Sequence, residues 1–318
     1  MTRVVVASRS FSRHPVLRAE LLERYPDTTF NDSGASLTGK ALIDYLQGHD
    51  RAVIALEPID GDILDALPDL RVIAKYGVGF DKIDLRAMIA RNIELGWTGG
   101  VNRRSVAELV IAFAISMLRH VPAANAEVLD GTWRQLVGRQ LSDCTVGIVG
   151  CGHVGKELAV MLRNGFGCDV MVHDQVEFSD FYAEHGIIAT SLETLLEQSD
   201  VVSLHLPLDP TTENILDAPA LATMKPGAVL INTARGGLVD EGALKSALMD
   251  GSLSAAAFDV FACEPPEDRE LLALPNFLAT PHIGGSAGEA ILAMGRAAIR
   301  GLDEHRVPEP GIFPPGRW

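Results

Sequence analysis

The chain has 318 residues, 47% of them hydrophobic, and its 27 basic residues are outnumbered by 42 acidic ones, giving a formal net charge of −15. This length corresponds to about two domains of ~150 residues, which can bury sizeable cores without disulfides or structural metals. A strongly acidic chain repels polyanions, so nucleic acids and anionic membranes are not expected partners. An anionic small molecule would need a local pocket of positive charge.

The cysteines and the N-terminus indicate a cytoplasmic protein without a metal site. The four cysteines are Cys144, Cys151, Cys168 and Cys263. They form no CxxC pair, and no histidines lie near them at the spacing typical of a zinc site. We therefore expect reduced thiols. The apolar run after Met1 is too short for a secretory signal, and Val106–Leu118 is too short to cross a bilayer, which needs about 20 apolar residues.

Short β-branched runs alternate with helical patterns along the chain, which is typical of strand–helix units around parallel sheets. In the first third we predict helices at Val16–Arg24 and Ala41–Gln47, and strands at Val4–Ala7, Val53–Leu56 and Val72–Ala74. The later predicted strands are Thr145–Val149, Asp169–His173, Val201–Leu206, Val229–Asn232, Ala256–Val260 and Leu278–Thr280. Because these runs are apolar nearly throughout, helices should cover both faces of each sheet.

Two Ser-x-x-Glu patterns, Ser105–Glu108 and Ser286–Glu289, predict capping boxes where helices join two domains. The helix after the first pattern is apolar around most of its circumference, so it should be buried. The sequence thus predicts a central domain at 100–286, inserted into a smaller domain made of residues 1–99 plus 287–318. The Pro- and Gly-rich tail at 307–318 is expected to be irregular.

A glycine-rich motif, Gly150-Cys-Gly152-His-Val-Gly155, lies between the predicted strand TVGIV and the helical pattern KELAVMLRN. In this context the glycines allow a tight turn and close approach of a pyrophosphate at the helix N-terminus. Asp174 ends the next predicted strand, where an acid accepts hydrogen bonds from ribose hydroxyls. The alternative is an ordinary glycine-rich turn with a surface aspartate.

The residues after Asp174 favour NAD over NADP. No arginine that could receive a 2′-phosphate occurs among the next three residues, Gln175, Val176 and Glu177. The carboxylates of Asp174 and Glu177 would repel such a phosphate.

Three further stretches follow predicted strands, at the sheet edge where open α/β folds place their ligands. They are 231–237, 258–265 and 280–286, and each contains one ionisable residue of interest: Arg235, Glu264 and His282. Taken singly, a surface cation, an acid in a turn and a hydrogen-bonded core histidine are equally good interpretations.

Together with the glycine loop, these stretches resemble the D-isomer-specific 2-hydroxyacid dehydrogenases, particularly the phosphoglycerate dehydrogenase-like branch. The matching motifs are KYGVGFDKID (75–84), GVNRRSVAEL (100–109), GCGHVG (150–155), DVVSLHLPLDPTT (200–212), MKPGAVLINTARGGLVDE (224–241), AAAFDVFACEPP (255–266) and TPHIGGS (280–286). The resemblance covers nearly the whole chain. It implies a Rossmann-type doubly wound parallel sheet that binds NAD, inserted into a smaller flavodoxin-like α/β substrate domain.

The resemblance implies hydride transfer between a nicotinamide and C2 of a small 2-hydroxy or 2-oxo acid. By similarity, Arg235 binds the substrate carboxylate and carbonyl oxygen with its guanidinium fork. His282 would be the acid in reduction and the base in oxidation. Glu264 would pair with His282, favouring the imidazolium and fixing its orientation.

The same resemblance supplies two sets of binding residues. The cofactor pocket would be formed by Gly150, Gly152, His153, Val154, Gly155, Asp174, His205, Leu206, Pro207, Thr212, Thr233, Ala234, Asp259 and Gly284. His205 has an alternative interpretation as a buried strand residue. The substrate carboxylate would be received by Arg235 and by the backbone of the loop Lys75, Tyr76, Gly77, Val78 and Gly79, whose glycines are otherwise ordinary turn formers.

The sequence departs from phosphoglycerate dehydrogenases at one place. Their second strand usually ends in an Arg-Ser pair that helps hold the substrate phosphate, whereas Leu56 and Glu57 stand here. A carboxylate beside a phosphate is repulsive. Arg51 and Arg103 are the candidates to hold a substrate phosphate in place of the missing Arg-Ser pair. Oxidation of 3-phosphoglycerate and reduction of glyoxylate or hydroxypyruvate therefore both stay open.

Alternatives outside this class are an NAD-binding corepressor-like protein and an idle NAD-binding subunit. The chain ends soon after its last helix, so we expect neither a C-terminal regulatory domain nor feedback control by serine. By similarity, the helix at 106–118 and an arm around Val121–Leu141, carrying Trp133, would form the interface of a homodimer.

Overall fold

The computed structural model describes residues 2–309, so most of the predicted irregular tail lies outside the described residues. The chain divides into two compact units. Unit 1 comprises the residues up to Asn102 and from Gly288 onward, and unit 2 comprises Arg103–Ala287. The observed boundaries fall after Asn102 and Ala287, whereas the sequence analysis predicted them after residues 99 and 286.

Strands and helices alternate through both units. The strands are β1 (Val4–Val6), β2 (Thr29–Phe30), β3 (Arg51–Ile54), β4 (Val72–Lys75), β5 (Glu94–Gly96), β6 (Thr145–Val149), β7 (Asp169–His173), β8 (Ile188–Ala189), β9 (Val201–Leu204), β10 (Ala228–Asn232), β11 (Leu253–Phe258) and β12 (Phe277–Ala279). The α-helices are α1 (Arg9–Arg13), α2 (Pro15–Arg24), α3 (Gly39–Leu46), α4 (Gly61–Asp65), α5 (Leu85–Ala90), α6 (Arg103–Leu118), α7 (Val121–Leu129), α8 (His153–Met161), α9 (Ser179–His185), α10 (Leu192–Gln198), α11 (Ala218–Thr223), α12 (Glu241–Asp250), α13 (Arg269–Leu272) and α14 (Gly288–Gly301).

Unit 1 contains a parallel five-stranded sheet in the order β2-β1-β3-β4-β5, which confirms the flavodoxin-like prediction. Successive strand residues point to opposite faces. Val5 accordingly belongs to one buried cluster and Val4 and Val6 to another. Apolar side chains therefore cover both faces, as the uninterrupted apolar runs predict.

Unit 2 contains a parallel seven-stranded sheet in the order β12-β11-β10-β9-β6-β7-β8, which confirms the Rossmann-type prediction. The strand order reverses between β6 and β9, and open α/β sheets bind ligands at such a point. Helix α6 lies in the core of this unit, with eight buried residues including Val110, Phe113 and Met117.

The lengths and hydropathy of the helices were compared with those of membrane spans. Among residues 2–309 no single helix is long and apolar enough to cross a membrane. The bent pair of α6 and α7 together has the length and composition of a span, but half of the α6 residues are buried inside unit 2.

The predicted strands appear close to their expected positions, whereas β2, β5 and β8 were missed. Each of these three has only two or three residues, which is too short for a periodic pattern. Strand β3 ends at Ile54 instead of Leu56, because the Glu57 carboxylate accepts the Ala55 N–H at 2.6 Å and turns the chain.

Both predicted capping boxes were wrong. Helix α6 begins at Arg103, so Ser105 lies within its first turn, and its hydroxyl donates to the Gly284 carbonyl at 2.6 Å. Helix α14 begins at Gly288, so Ser286 precedes it by more than one residue. A serine three residues before a glutamate caps a helix only where the backbone leaves the helix at that serine.

Candidate active site

The glycine loop joins β6 to α8 and requires two of its three glycines for steric reasons. Gly150 has φ +100°, and a Cβ there would lie 2.5 Å from the His205 carbonyl oxygen. A Cβ on Gly155 would lie 2.0 Å from the Gly150 carbonyl oxygen, because α8 starts against the turn. Gly152 has no atom within 4 Å of its Cβ position, which leaves the helix N-terminus open to a ligand.

The acid of the motif is held against this loop. The Asp174 carboxylate accepts the Cys151 N–H at 2.5 Å through Oδ2 and the Val176 N–H at 2.8 Å through Oδ1. His153 and Val154 are the first two residues of α8. Partial burial lowers the pKa of His153, and the nearby cations Arg103 and Lys156 lower it further.

The end of β9 lines the other side of the glycine loop. His205 Nε2 and Ser203 Oγ are 2.9 Å apart, and burial lowers the pKa of His205 to about 3, so this histidine is neutral near pH 7. Leu206 is half-buried and Pro207 is exposed. The Thr212 hydroxyl donates to the Pro207 carbonyl at 2.8 Å, so Thr212 closes the loop that carries these residues.

The end of β10 brings a buried, unsatisfied hydroxyl to the same edge. Thr233 Oγ1 has no hydrogen-bond partner among the described residues. Buried polar atoms are nearly always paired, so this hydroxyl indicates a ligand atom. The open helix N-terminus, the anchored Asp174 carboxylate and this hydroxyl fit a dinucleotide bound along the C-terminal edge of the sheet.

Arg235 is held by the turn that follows β10. The buried Asn232 accepts the Ala234 N–H at 3.0 Å and donates to the Arg235 carbonyl at 2.8 Å. The half-buried Arg235 donates from Nη1 to the Ala234 carbonyl at 2.7 Å. Sequence reasoning missed Asn232, although its place at a strand end just before the arginine could have indicated the role.

His282 and Glu264 lie together, as the resemblance implies. His282 Nδ1 is 3.0 Å from Glu264 Oε2 and 3.2 Å from Oε1. About half of the His282 side chain and two-fifths of the Glu264 side chain are exposed. The carboxylate orients the ring through Nδ1, which leaves Nε2 to exchange a proton with a substrate.

Asp259 organises the turn that carries His282. Its carboxylate accepts the Thr280 hydroxyl, the Ile283 N–H at 2.7 Å and the Gly284 N–H at 2.7 Å. The sequence placed Asp259 and Gly284 only in the cofactor pocket. In the structure this buried carboxylate also fixes the backbone on both sides of the histidine.

The predicted substrate loop lies in unit 1 and begins at Lys75, the last residue of β4. Lys75 is buried and donates to the Ala55 carbonyl, which ties the loop to the end of β3. Tyr76 packs edge-on against Phe11 with ring centroids 5.4 Å apart. The Val78 carbonyl accepts the Trp97 indole N–H at 3.2 Å. Gly77 adopts φ +118°, which favours glycine, whereas Gly79 is not among the residues of positive φ.

The two arginines proposed to compensate for the missing phosphate ligands are engaged elsewhere. Arg51 stands at the start of β3, opposite the ligand edge of its sheet, and donates to the Leu302 carbonyl and to Asp303. Arg103 pairs with Glu157 at 3.0 Å. No group of three or more metal-binding side chains comes together among residues 2–309.

Comparisons of sequence identify the family of the chain. Residues 111–284 match the family described as D-isomer specific 2-hydroxyacid dehydrogenase, NAD binding domain. A D-3-phosphoglycerate dehydrogenase of Mycobacterium tuberculosis is 39% identical over 234 residues, which are 73% of this chain and 44% of that protein. The chain therefore spans less than half the length of this relative.

Relatives of similar length were also found. A hydroxypyruvate reductase of Thermotoga maritima is 37% identical, over 73% of this chain and 76% of that protein. A glyoxylate reductase of Korarchaeum cryptofilum is 35% identical, over 83% of this chain and 81% of that protein.

Solved structures share the architecture. A glyoxylate reductase from Paecilomyes thermophila has a TM-score of 0.85 at 25% identity, over 95% of this chain and 96% of that one. A D-lactate dehydrogenase from Aquifex aeolicus, complexed with NAD and lactic acid, has a TM-score of 0.80 at 25% identity, over 94% of this chain and 93% of that one. The chain therefore belongs to the D-isomer specific 2-hydroxyacid dehydrogenase family.

Proposed function

We propose that the chain is an NAD-dependent oxidoreductase that transfers a hydride between the nicotinamide and C2 of a small 2-hydroxy or 2-oxo acid. The observation that carries this proposal is the His282–Glu264 pair in the unit that contains the family's NAD-binding domain. The dinucleotide, when bound, supplies or accepts the hydride. His282 gives the proton to the carbonyl oxygen in reduction and takes it from the hydroxyl in oxidation.

Arg235 and Glu264 complete the proposed chemistry. The Arg235 fork binds the planar carboxylate of the acid and polarises the carbonyl oxygen, which a lysine ammonium does less directionally. Glu264 stabilises the positive charge that His282 carries before it donates its proton. The backbone of the loop Lys75–Gly79 would add N–H donors for the carboxylate.

The surroundings of Asp174 favour NAD over NADP. Its carboxylate is fixed beside the glycine loop, where an adenosine ribose binds in this fold. Glu177 lies a few residues on and accepts the Ser179 hydroxyl at 2.6 Å. A 2′-phosphate would meet two carboxylates there instead of an arginine.

Unit 1 favours an unphosphorylated acid of the glyoxylate or hydroxypyruvate type over 3-phosphoglycerate. Leu56, two residues after the end of β3, is 75% exposed, and the buried Glu57 carboxylate is fixed to the Ala55 N–H. Arg51 and Arg103 are held by other partners. The segment after β3 thus offers an apolar side chain and a carboxylate, which suit a substrate with a small neutral substituent better than one with a phosphate.

We also propose a homodimer in the reducing cytoplasm. Helix α7 has no buried residue among those described, and the arm after it exposes large apolar side chains, including Trp133 at 87% and Val137 at 92%. Such a patch is typical of a protein interface, and paired copies are the commonest closed assembly. All four cysteines, including the exposed Cys263, are free thiols.

Steady-state assays with a panel of 2-oxo acids and NADH test the proposed activity. Glyoxylate, hydroxypyruvate and pyruvate should include a substrate, and phosphohydroxypyruvate should be reduced less efficiently. NADPH should replace NADH poorly. The His282→Gln variant, prepared identically, controls for contaminating reductases. Tight NADH binding without turnover of any member would contradict the proposal and favour the corepressor-like alternative.

A further inference from the structure

Glu241 is the first residue of α12, but it does not cap that helix. The N-cap is Asp240, whose carboxylate accepts the Gly242 N–H at 2.9 Å and the Ala243 N–H at 3.0 Å. Glu241 instead extends away from its helix and accepts the Ala262 N–H at 2.8 Å. A long-range hydrogen bond thus joins α12 to the loop after β11.

The base from which Glu241 extends is held firmly. The Asp240 N–H donates to the Leu216 carbonyl at 3.1 Å, and the Asn214 N–H donates to the Gly237 carbonyl at 2.7 Å. Leu216 and Val239 form a parallel bridge between these segments. With these bonds and the Asp240 cap, the start of α12 has little freedom to move.

The loop that receives the hydrogen bond carries Glu264. The Phe261 N–H donates to Glu264 Oε1 at 3.2 Å, so two consecutive N–H groups of this loop are held by carboxylates. A Cβ on Gly236 would lie 1.9 Å from the Phe261 carbonyl, which shows that the turn after Arg235 rests directly on this loop. The Ala262 nitrogen lies 2.3 Å from the same Cβ position, so Glu241 holds the very peptide against which this turn packs.

Packing alone does not fix Glu264, because its side chain and that of His282 are both more than a third exposed. The residues between Phe261 and Glu264 are exposed as well. The buried Phe261 anchors the start of the loop, whereas the exposed Ala262 depends on a hydrogen bond. The only one that reaches Ala262 from another element among those described is that from Glu241.

We propose that Glu241 is a positioning residue that holds the loop Phe261–Glu264, so that Glu264 keeps its contact with His282. This assignment rests on the proposed oxo-acid chemistry. Glu241 touches neither His282 nor the reacting atoms and acts through the Ala262 peptide. Its loss should misplace Glu264 and lower turnover, because small displacements of a catalytic pair cost about tenfold to a hundredfold in rate.

Two variants separate positioning from general stability. Glu241→Ala removes the acceptor, whereas Glu241→Gln keeps an amide oxygen that can accept the Ala262 N–H. We expect Glu241→Ala to lower kcat about tenfold or more with little change in KM or in NADH affinity. Its alkaline loss of activity should move to lower pH, because a poorly aligned Glu264 stabilises the imidazolium less. Glu241→Gln should recover most of the turnover.

Amide hydrogen exchange of residues 259–264 gives a readout that does not depend on turnover. Exchange should quicken in Glu241→Ala and stay near normal in Glu241→Gln. Glu267→Ala, which removes an exposed carboxylate three residues after Glu264, is the matched control and should resemble the unaltered chain.

The outcomes distinguish this assignment from the proposed function. Faster exchange with normal kcat and an unmoved pH profile, or equal losses in both Glu241 variants, would overturn the positioning role while the activity stands. Inactivity of the unaltered chain on every oxo acid would instead overturn the proposed function, and the assignment with it.

Discussion

His282 adopts a backbone conformation that few residues other than glycine adopt. Its φ of +55° lies in the left-handed region, which costs a residue with a Cβ about 1–2 kcal/mol. The His282 N–H donates to the Asp259 carbonyl at 2.9 Å, and the Asp259 carboxylate holds the residues on both sides. The strain is thus maintained by one buried residue, and it aims the ring at Glu264.

At the residue scale, replacing the proposed proton donor should separate chemistry from binding. His282→Gln is expected to lower kcat for oxo-acid reduction by about a hundredfold to ten-thousandfold, with NADH affinity nearly unchanged. Arg235→Lys, which keeps the charge but loses the fork, should raise KM for the oxo acid as well. Steady-state kinetics and NADH fluorescence titration check both variants. Equal loss of NADH affinity in the two would contradict these roles.

The pH dependence should report the same histidine. In the unaltered chain, kcat/KM for reduction should fall as pH rises, because a neutral imidazole has no proton to donate. His205 cannot produce this fall, since burial lowers its pKa to about 3 and it is neutral well before pH 7. His282→Gln should therefore remove most of this alkaline fall. A profile that keeps its alkaline fall in this variant would point to another donor.

At the scale of elements, the junction of β6 and α8 separates glycines needed for packing from a glycine needed for ligand access. Gly155→Ala places a methyl group 2.0 Å from a carbonyl oxygen, so the helix must shift, at a cost of about 1–3 kcal/mol. Gly152→Ala meets open space and should leave unfolding unchanged while weakening NADH binding. Urea denaturation and NADH titration of the two variants test this contrast, which fails if both lose stability equally.

A second element-scale feature stabilises the opposite edge of the unit 2 sheet. Burial by itself would raise the pKa of Asp200, but hydrogen bonds from Arg139 at 3.0 Å, Lys225 at 2.6 Å and the Thr145 N–H at 2.9 Å outweigh it, and the pKa is lowered. A lowered pKa stabilises the fold above the unfolded value of about 3.9, and this stabilisation is lost as pH falls through the folded value.

Asp200→Asn should therefore destabilise unit 2 by about 1–3 kcal/mol at pH 7 and weaken the acid dependence of unfolding below pH 5. Asp169→Asn is the control, because this exposed acid makes a single surface pair with Arg163 and should cost less than about 1 kcal/mol. Urea midpoints at pH 7 and pH 4 measure both variants. An unchanged acid dependence in Asp200→Asn would show that other carboxylates dominate.

At the scale of the whole molecule, the exposed arm should control association. Trp133→Ser together with Val137→Ser removes two large apolar side chains that are almost fully exposed. Sedimentation velocity at micromolar concentration should give a dimer for the unaltered chain and mostly monomer for this variant. Met249→Ser, an exposed apolar position on α12, should leave the dimer intact. If the unaltered chain is monomeric at this concentration, the proposed dimer is refuted.

Most of the fold was predictable because its signals are local. The apolar runs of β6, β7 and β10 and the glycine loop are each written in a few consecutive residues. Helix ends were less predictable, as the misplaced caps at Ser105 and Ser286 show, because a Ser-x-x-Glu pattern does not specify where the backbone enters the helix. The two-residue strands β2 and β8 exist because neighbouring strands pair with them.

The sequence by itself predicted two parallel sheets and a dinucleotide loop, since glycine sterics and strand periodicity act over short stretches of chain. Its resemblance to a known family indicated the three ionisable residues of the proposed site. The tertiary structure decided how those residues are held. Three hydrogen bonds join residues that are distant in sequence. The Asp259 carboxylate accepts the N–H after His282, the Glu241 carboxylate accepts the Ala262 N–H, and Arg51 donates to the Leu302 carbonyl. A hydrogen bond needs its two atoms within about 3 Å, and only the packed loops of each unit bring such atoms together.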